Sequence, residues 1–174
     1  GKILLGGMDL KNIKEKSLME HITLVRHNSY LFKGTVEENL LMGNPNATQE
    51  QMIEVLKKVN LWEFLNGQEG LCTKLAEKGS NFSGGQCQRL CIARALLHNT
   101  EIYIFDEAAS NIDVESEEII MDLIRQLAET KTVLLISHRL ANVKKSHCIY
   151  VLSEGKIVEK GTHRELMEQS GVYK

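Results

Sequence analysis

The 174 residues are enough to form one domain with a well-buried core. The 21 basic and 23 acidic residues give a net charge of −2, which argues against a surface that coats nucleic acid. No stretch approaches the ~18 apolar residues of a membrane-spanning helix, and no signal peptide opens the chain. We therefore expect a soluble domain, even if its partner lies in a membrane.

The first 34 residues predict strands joined by polar loops. Residues 1–7 indicate a short strand and a turn, and Ile22–Val25 is typical of a buried strand. This strand leads into a polar loop that contains His27 and closes on the apolar residues 30–32.

Residues 35–98 carry helical signals. Thr35 with Glu38, and Thr48 with Gln51, have the spacing of a capping box at the start of a helix. Further apolar residues recur at helical spacing, which predicts core packing: Met52, Val55, Leu56, Val59 and Leu61.

The next helix begins with small residues. Ser83 and Gln86 have capping-box spacing and enclose Gly84 and Gly85, so a helix is predicted from here to about His98. Such a helix start offers backbone N–H groups and the positive end of the helix dipole to a phosphate. The alternative is that the two glycines merely allow close helix packing.

Two acids follow the next apolar run. Residues 102–105 predict a strand buried on both faces of a parallel sheet, and Asp106 and Glu107 come directly after it. Ligands of open α/β sheets bind beyond the carboxyl ends of the strands. One carboxylate could hold Mg²⁺ while the other orients or deprotonates a water, so the pattern indicates nucleotide hydrolysis.

The last third alternates helices and strands. Asp113 is the expected N-cap of an amphipathic helix over residues 114–128. Val133–Ile136 predicts another strand buried on both faces, and His138 follows it on the expected ligand side, within reach of a γ-phosphate. A hairpin over residues 148–158 and a short helix after Thr162 complete the chain.

In this order and spacing, the motifs resemble the ATP-binding domain of ABC transporters. Residues 82–86 are similar to the family's signature motif LSGGQ, with Phe82 in place of leucine. Residues 102–107 resemble the Walker B strand with its glutamate, and residues 110–113 resemble the D-loop. His138 matches the H-loop histidine, and residues 31–39 are most like the exporter-type members.

The resemblance implies an α/β fold with a P-loop NTPase-like parallel-sheet core and an inserted helical subdomain. Residues 1–34 would form part of the core with the Q-loop equivalent. Residues 35–98 would form the helical subdomain, ending in the signature helix. Residues 99–174 would return to the core with the Walker B strand, D-loop and H-loop.

The resemblance also implies ATP and Mg²⁺ as ligands, with Mg²⁺ held by Asp106. Glu107 would polarise the attacking water, His138 would hold the γ-phosphate, and Asp113 would link two sites across a dimer. Ser83, Gly84, Gly85 and Gln86 would bind the γ-phosphate of ATP held by the opposite subunit. The implied partners are a second such domain, arranged head to tail, and a transmembrane domain at the cytoplasmic face of the cell membrane.

Two departures from the family pattern affect these expectations. His27 stands where the Q-loop glutamine would be, and either keeps a contact to metal or water or is a simple loop residue. Nowhere in the 174 residues is there a Gly-x-x-x-x-Gly-Lys-Ser/Thr phosphate loop. We therefore expect a domain that lacks its N-terminal part and is inactive alone.

Two other functions compete with this interpretation. A non-catalytic dimerisation or regulatory module is favoured by His27 and the missing phosphate loop, and opposed by the acid pair and His138. An SMC- or Rad50-type ATPase head would carry long coiled coils, whereas residues 33–80 lack sustained heptads.

Overall fold

A computed structural model describes residues 1–169 and 171–174. The chain divides into two compact units, Gly1–Ile136 and Ser137–Lys174. Each unit is described by itself below.

The first unit alternates short strands with helices. Its elements in chain order are β1 (Leu4–Leu5), β2 (Met8–Asp9), α1 (Glu15–His21), β3 (Ile22–Arg26), β4 (Gly34–Thr35), α2 (Val36–Leu41), α3 (Gln49–Lys58), α4 (Trp62–Asn66), β5 (Lys74–Leu75), α5 (Gly84–His98), β6 (Ile102–Asp106), α6 (Val114–Leu127) and β7 (Thr132–Ile136). Capping boxes begin α2, α3 and α5, as their Ser/Thr-x-x-Glu/Gln spacing predicted.

The central sheet of this unit has the strand order β3-β6-β7, and its strands are parallel. In this register Arg26, Asp106 and Ile136 stand side by side at the carboxyl end. The strand that ends at Asp106 therefore lies between the other two and is parallel to both, which confirms the parallel strand predicted at residues 102–105.

One face of the sheet belongs to the hydrophobic core. Val25, Tyr103 and Phe105 are buried there, in the same cluster as the apolar residues of α5 and α6. The predicted apolar face of α3 is part of this core as well, since Met52, Leu56 and Val59 are almost fully buried. Because Tyr103 and Phe105 share one core cluster with α5 and α6, β6 packs against these helices.

The prediction that β7 is buried on both faces is wrong, and the buried strand predicted at Ile22–Val25 is exposed on one face. Leu24 is 48% exposed, Leu134 is 51% exposed and Ile136 is 43% exposed. Side chains alternate between the two faces of a strand, and the core lies against one face of this sheet. A continuous apolar run therefore does not fix burial on both sides.

Thr48→Ala is expected to lower the free energy of unfolding by about 1 kcal/mol, because it removes an N-cap. The Thr48 Oγ1 accepts the N–H of Gln51 at 3.3 Å, and the Gln51 Oε1 accepts the N–H of Thr48 at 2.9 Å. Urea unfolding measures the change, with Thr130→Ala after α6 as the control. Equal stability of the two variants would contradict the capping role.

The second unit contains α7 (Leu140–Val143), β8 (Ile149–Ser153), β9 (Lys156–Gly161) and α8 (His163–Glu168). β8 and β9 form the predicted antiparallel hairpin. The capping box at Thr162 begins α8 as expected, and Leu166 of this helix is fully buried. Among the residues that the structure describes, no helix is long and apolar enough to cross a membrane.

Candidate functional site

The carboxyl edge of the sheet gathers three of the predicted site residues. The His27 N–H donates to the Asp106 carbonyl oxygen at 3.2 Å, and the Glu107 N–H donates to the Ile136 carbonyl oxygen at 3.0 Å. Backbone hydrogen bonds therefore continue past the ends of β3 and β6. They hold the His27 loop directly beside the acid pair.

Glu107 has an unusual backbone conformation. Its φ is 51°, in the left-handed region that L-residues other than glycine seldom adopt. The Ser110 N–H and Oγ both donate to the Glu107 carbonyl oxygen, at 2.9 Å and 2.8 Å. Such a conformation costs roughly 1–3 kcal/mol and persists where surrounding contacts hold it. The turn thus fixes the direction in which the chain leaves the strand after Asp106.

Asp106 and Glu107 are half-buried acids at an open strand end. A carboxylate oxygen suits Mg²⁺, which binds proteins through one or two carboxylates and completes its shell with water and phosphate oxygens. No cluster of three or more His, Cys, Asp or Glu side chains suited to a metal occurs among the described residues.

The start of α5 is closed by a reciprocal capping box. The Ser83 Oγ accepts the Gln86 N–H at 3.1 Å, and the Gln86 Oε1 accepts the Ser83 N–H at 2.9 Å. The box therefore engages the N–H groups of Ser83 and Gln86 but not those of Gly84 and Gly85. Two glycine N–H groups at the positive end of a 15-residue helix form an anion-binding arrangement.

The two glycines have different surroundings. A Cβ on Gly85 would lie 2.6 Å from the Asp113 Oδ2 and 2.7 Å from the Ser116 Cβ, so α6 requires a glycine there. A Cβ on Gly84 would meet nothing within 4 Å. Close packing, the alternative weighed from the sequence, therefore accounts for Gly85 but not for Gly84.

Asp113 is the N-cap of α6, as its position predicted. Its Oδ1 accepts the Ser116 N–H at 2.8 Å, and hydrogen bonds from Ser116 lower the pKa of Asp113. The carboxylate is therefore charged at neutral pH. Because Gly85 lies against Asp113 and Ser116, the structure brings the signature and D-loop positions together within one chain.

Arg89 is a residue that the sequence analysis missed. Its Nη1 donates to the Asn60 carbonyl oxygen at 2.7 Å, beyond the end of α3, and its Nε donates to the Gly85 carbonyl oxygen at 3.4 Å. Burial lowers the pKa of Arg89, while Asp113 and Glu115 oppose that shift. The helix spacing of Arg89 and Gly85 was visible in the sequence, but the contact with α3 was not.

His138 belongs to the second unit. It is exposed in the loop Ser137–Arg139 that precedes α7, where the Arg139 N–H donates to the Ser137 Oγ at 3.1 Å. Its proposed contact with a γ-phosphate stays a prediction.

Comparison with known proteins shows the family of the chain. The family model for the ABC transporter matches residues 1–110. The chain belongs to the ABC transporter family, and its mixed α/β structure with a parallel sheet has the P-loop NTPase-like fold predicted from the motifs.

Particular relatives extend the match over nearly the whole chain. An uncharacterized ABC transporter ATP-binding protein of Haemophilus influenzae is 53% identical over 173 residues, which are 99% of this chain and 31% of that protein. A Staphylococcus aureus protein, provisionally named a multidrug export ATP-binding/permease protein, is 44% identical over 174 residues, covering 99% of this chain and 30% of that protein.

The solved structure of a bacterial Atm1-family ABC exporter with ATP bound is also similar. It matches with a TM-score of 0.92 and 33% identity, over 99% of this chain and 30% of that one. The chain therefore spans about 30% of the length of these relatives. The chain corresponds to an ATP-binding segment of the ABC transporter family.

Proposed function

We propose that this chain is the part of an exporter ATPase that supplies the Walker B acids and the signature helix for Mg-ATP hydrolysis. One observation carries the proposal. Within a single unit, backbone hydrogen bonds hold an acid pair at the end of the central strand, and a capping box of backbone-to-side-chain hydrogen bonds holds a glycine-led helix start. The same proposal includes the predicted domain bounds. The ATPase core would comprise residues 1–34 and 99–174, and the helical subdomain would comprise residues 35–98.

The acid pair would work on the bound nucleotide. Mg-ATP supplies a phosphoryl group whose charge is neutralised by the metal. The Asp106 carboxylate would hold the metal, directly or through water, and the Glu107 carboxylate would orient and polarise the attacking water. The His27 backbone N–H donates to the Asp106 carbonyl oxygen, so His27 lies beside the acid pair, and its imidazole would be a candidate to hydrogen-bond a water there.

The start of α5 would act on a different nucleotide. Gly84 is exposed and has open space where a Cβ would be, so no contact among the described residues demands glycine there. A closely approaching phosphate would demand it, because the oxygen must reach the backbone N–H. We assign this phosphate to ATP held by a second domain in a head-to-tail dimer, with Asp113 joining the two sites.

The remaining partner is the transmembrane domain of the same transporter. The names of the relatives refer to ATP-binding/permease proteins and to an exporter. By this analogy the chain works at the cytoplasmic face of the cell membrane and couples hydrolysis to export.

The 174-residue chain by itself is expected to bind Mg-ATP weakly or not at all. Its sequence contains no phosphate loop, and that loop with its lysine provides most of the grip on the β- and γ-phosphates. Calorimetry should show binding by a chain extended with the phosphate-loop segment of a family member, and no comparable binding by the 174 residues.

Asp106→Asn in the extended chain provides the control for the metal. It should reduce the dependence of nucleotide affinity on Mg²⁺, whereas Asp122→Asn on the exposed side of α6 should not. Tight Mg-ATP binding by the 174-residue chain would refute the argument from the phosphate loop.

A non-catalytic dimerisation module is the second candidate, and His27 is the observation that favours it. The extended protein would then dimerise with ATP without turning it over. Steady-state phosphate release together with light scattering separates the two functions.

A further inference from the structure

The loop that carries His27 is attached to one side of α5. The Gln88 Nε2 donates to the Arg26 carbonyl oxygen at 3.0 Å, and the Arg94 Nη2 donates to the Tyr30 carbonyl oxygen at 2.9 Å. Between them, the Cys91 Sγ donates to the Ser29 carbonyl oxygen at 3.6 Å. Since residues three apart share a side of a helix, these three donors form one loop-binding face of α5.

Gln88 is the most buried polar member of the loop-binding face. Its side chain is 4% exposed, although amides normally remain in water unless they find partners. The same Arg26 carbonyl oxygen also accepts a hydrogen bond from the Ser29 hydroxyl, with 2.8 Å between the oxygens. The Arg26 N–H donates to the Ser29 Oγ at 3.2 Å. The turn is therefore closed on itself by Ser29 and attached to α5 by Gln88.

This attachment leads directly to the acid pair. His27 follows Arg26, and its N–H donates to the Asp106 carbonyl oxygen at 3.2 Å. Strand pairing between β3 and β6 ends at Arg26 and Asp106, so the His27 bond lies beyond the regular sheet. Two hydrogen bonds on neighbouring residues thus connect α5 to the backbone of the predicted metal ligand.

We propose that Gln88 is a positioning residue that, with the rest of the loop-binding face, makes residues 26–30 move with α5 and holds His27 against Asp106. The catalytic consequence rests on the proposed function above. A shift of α5 when a phosphate reaches Gly84 would be transmitted to Asp106 through this loop. The hydrogen bonds that attach residues 26–30 to α5 are present without nucleotide.

The test is Gln88→Leu, which keeps a side chain of similar size and removes the donor. Hydrogen exchange is measured at the His27 amide of the nucleotide-free 174-residue chain. We expect exchange at His27 to become at least about 10-fold faster, because that amide opens when the loop leaves α5. Gln126→Leu, on the exposed side of α6, is the matched control and should leave the His27 rate unchanged.

Cysteine alkylation provides a second readout on the same samples. The Cys91 side chain is 3% exposed, and burial raises the pKa of its thiol to about 11, so it reacts slowly in the folded chain. Cys148 is exposed and serves as the internal reference. We expect Gln88→Leu to accelerate alkylation of Cys91, relative to Cys148, by a factor similar to that for His27 exchange.

Two outcomes would overturn the proposal. Unchanged His27 exchange would show that Gln88 does not hold the loop. Equal acceleration at His27 and throughout α6 would show a general stabilising role in place of a positioning one.

If Gln88→Leu does not fold, Arg94→Met is the second variant, because it removes the donor at the other end of the loop-binding face. An unchanged rate of Cys91 alkylation in Arg94→Met would then refute the connection between α5 and the loop. Failure of the extended chain to bind Mg-ATP would remove the proposed function and leave this result intact.

Discussion

Glu107→Gln, in a chain extended to include the phosphate loop, is expected to lower ATP turnover by about 10²–10⁴-fold, the usual contribution of a general base. Affinity for Mg-ATP should hardly change, because phosphoryl transfer depends on positioning and charge while binding depends on the phosphate loop and metal. Glutamine keeps the length and hydrogen-bonding capacity of the side chain but cannot accept the proton of the water. Steady-state phosphate release and calorimetry measure the two quantities separately.

The control for this variant is Glu118→Gln. Glu118 is exposed on α6, so its loss of charge should leave turnover at the parental rate. Parental turnover by Glu107→Gln as well would show that the assignment of Glu107 is wrong. A parallel loss of binding and turnover would instead indicate that the variant disturbs the left-handed turn.

Gly85→Ala and Gly84→Ala are expected to have opposite effects. The Cβ of the first variant would overlap Ser116 and Asp113 at the start of α6, and overpacking of this kind costs about 1–3 kcal/mol. Gly84→Ala adds its Cβ in open space within the first turn of α5, where alanine is favoured over glycine by up to about 1 kcal/mol. Urea unfolding of the two variants should therefore move the midpoint in opposite directions.

The activities of the same two variants test the assignment of the phosphate. Gly84→Ala should fold well, yet lose ATP-dependent dimerisation in the extended protein, because its Cβ occupies the path of an approaching phosphate. Parental dimerisation by Gly84→Ala would show that no ligand comes close to Gly84. Unaltered stability of Gly85→Ala would contradict the close contact between α5 and α6.

Local features were the most accurately predicted part of the fold. Each capping box joins residues three apart, so a hydroxyl and a carboxylate or amide at that spacing identify a helix start without tertiary information. The starts at Thr35, Thr48, Ser83 and Thr162 are confirmed in this way. The parallel strand before Asp106 is confirmed for a similar reason, since an apolar run followed by two acids is a local signal.

Burial of the sheet was not predictable from the same runs. Leu24 and Leu134 pair with Ile104 of β6 on the sheet face away from the core, where the first two are exposed and Ile104 is half-buried. The hydrophobicity of a side chain indicates that burial is favourable for it. The arrangement of the helices determines which face of the sheet is covered.

The sequence by itself determined the helix starts, the central strand, the acid pair and the family, because these depend on residue types at short, fixed spacing. The tertiary structure alone distinguished Gly85 from Gly84 and attached the His27 loop to α5 through Gln88. Both depend on contacts between residues about 30 to 60 positions apart. A backbone carbonyl carries no sequence signal, and a glycine does not show which neighbour it must admit until packing brings that neighbour close.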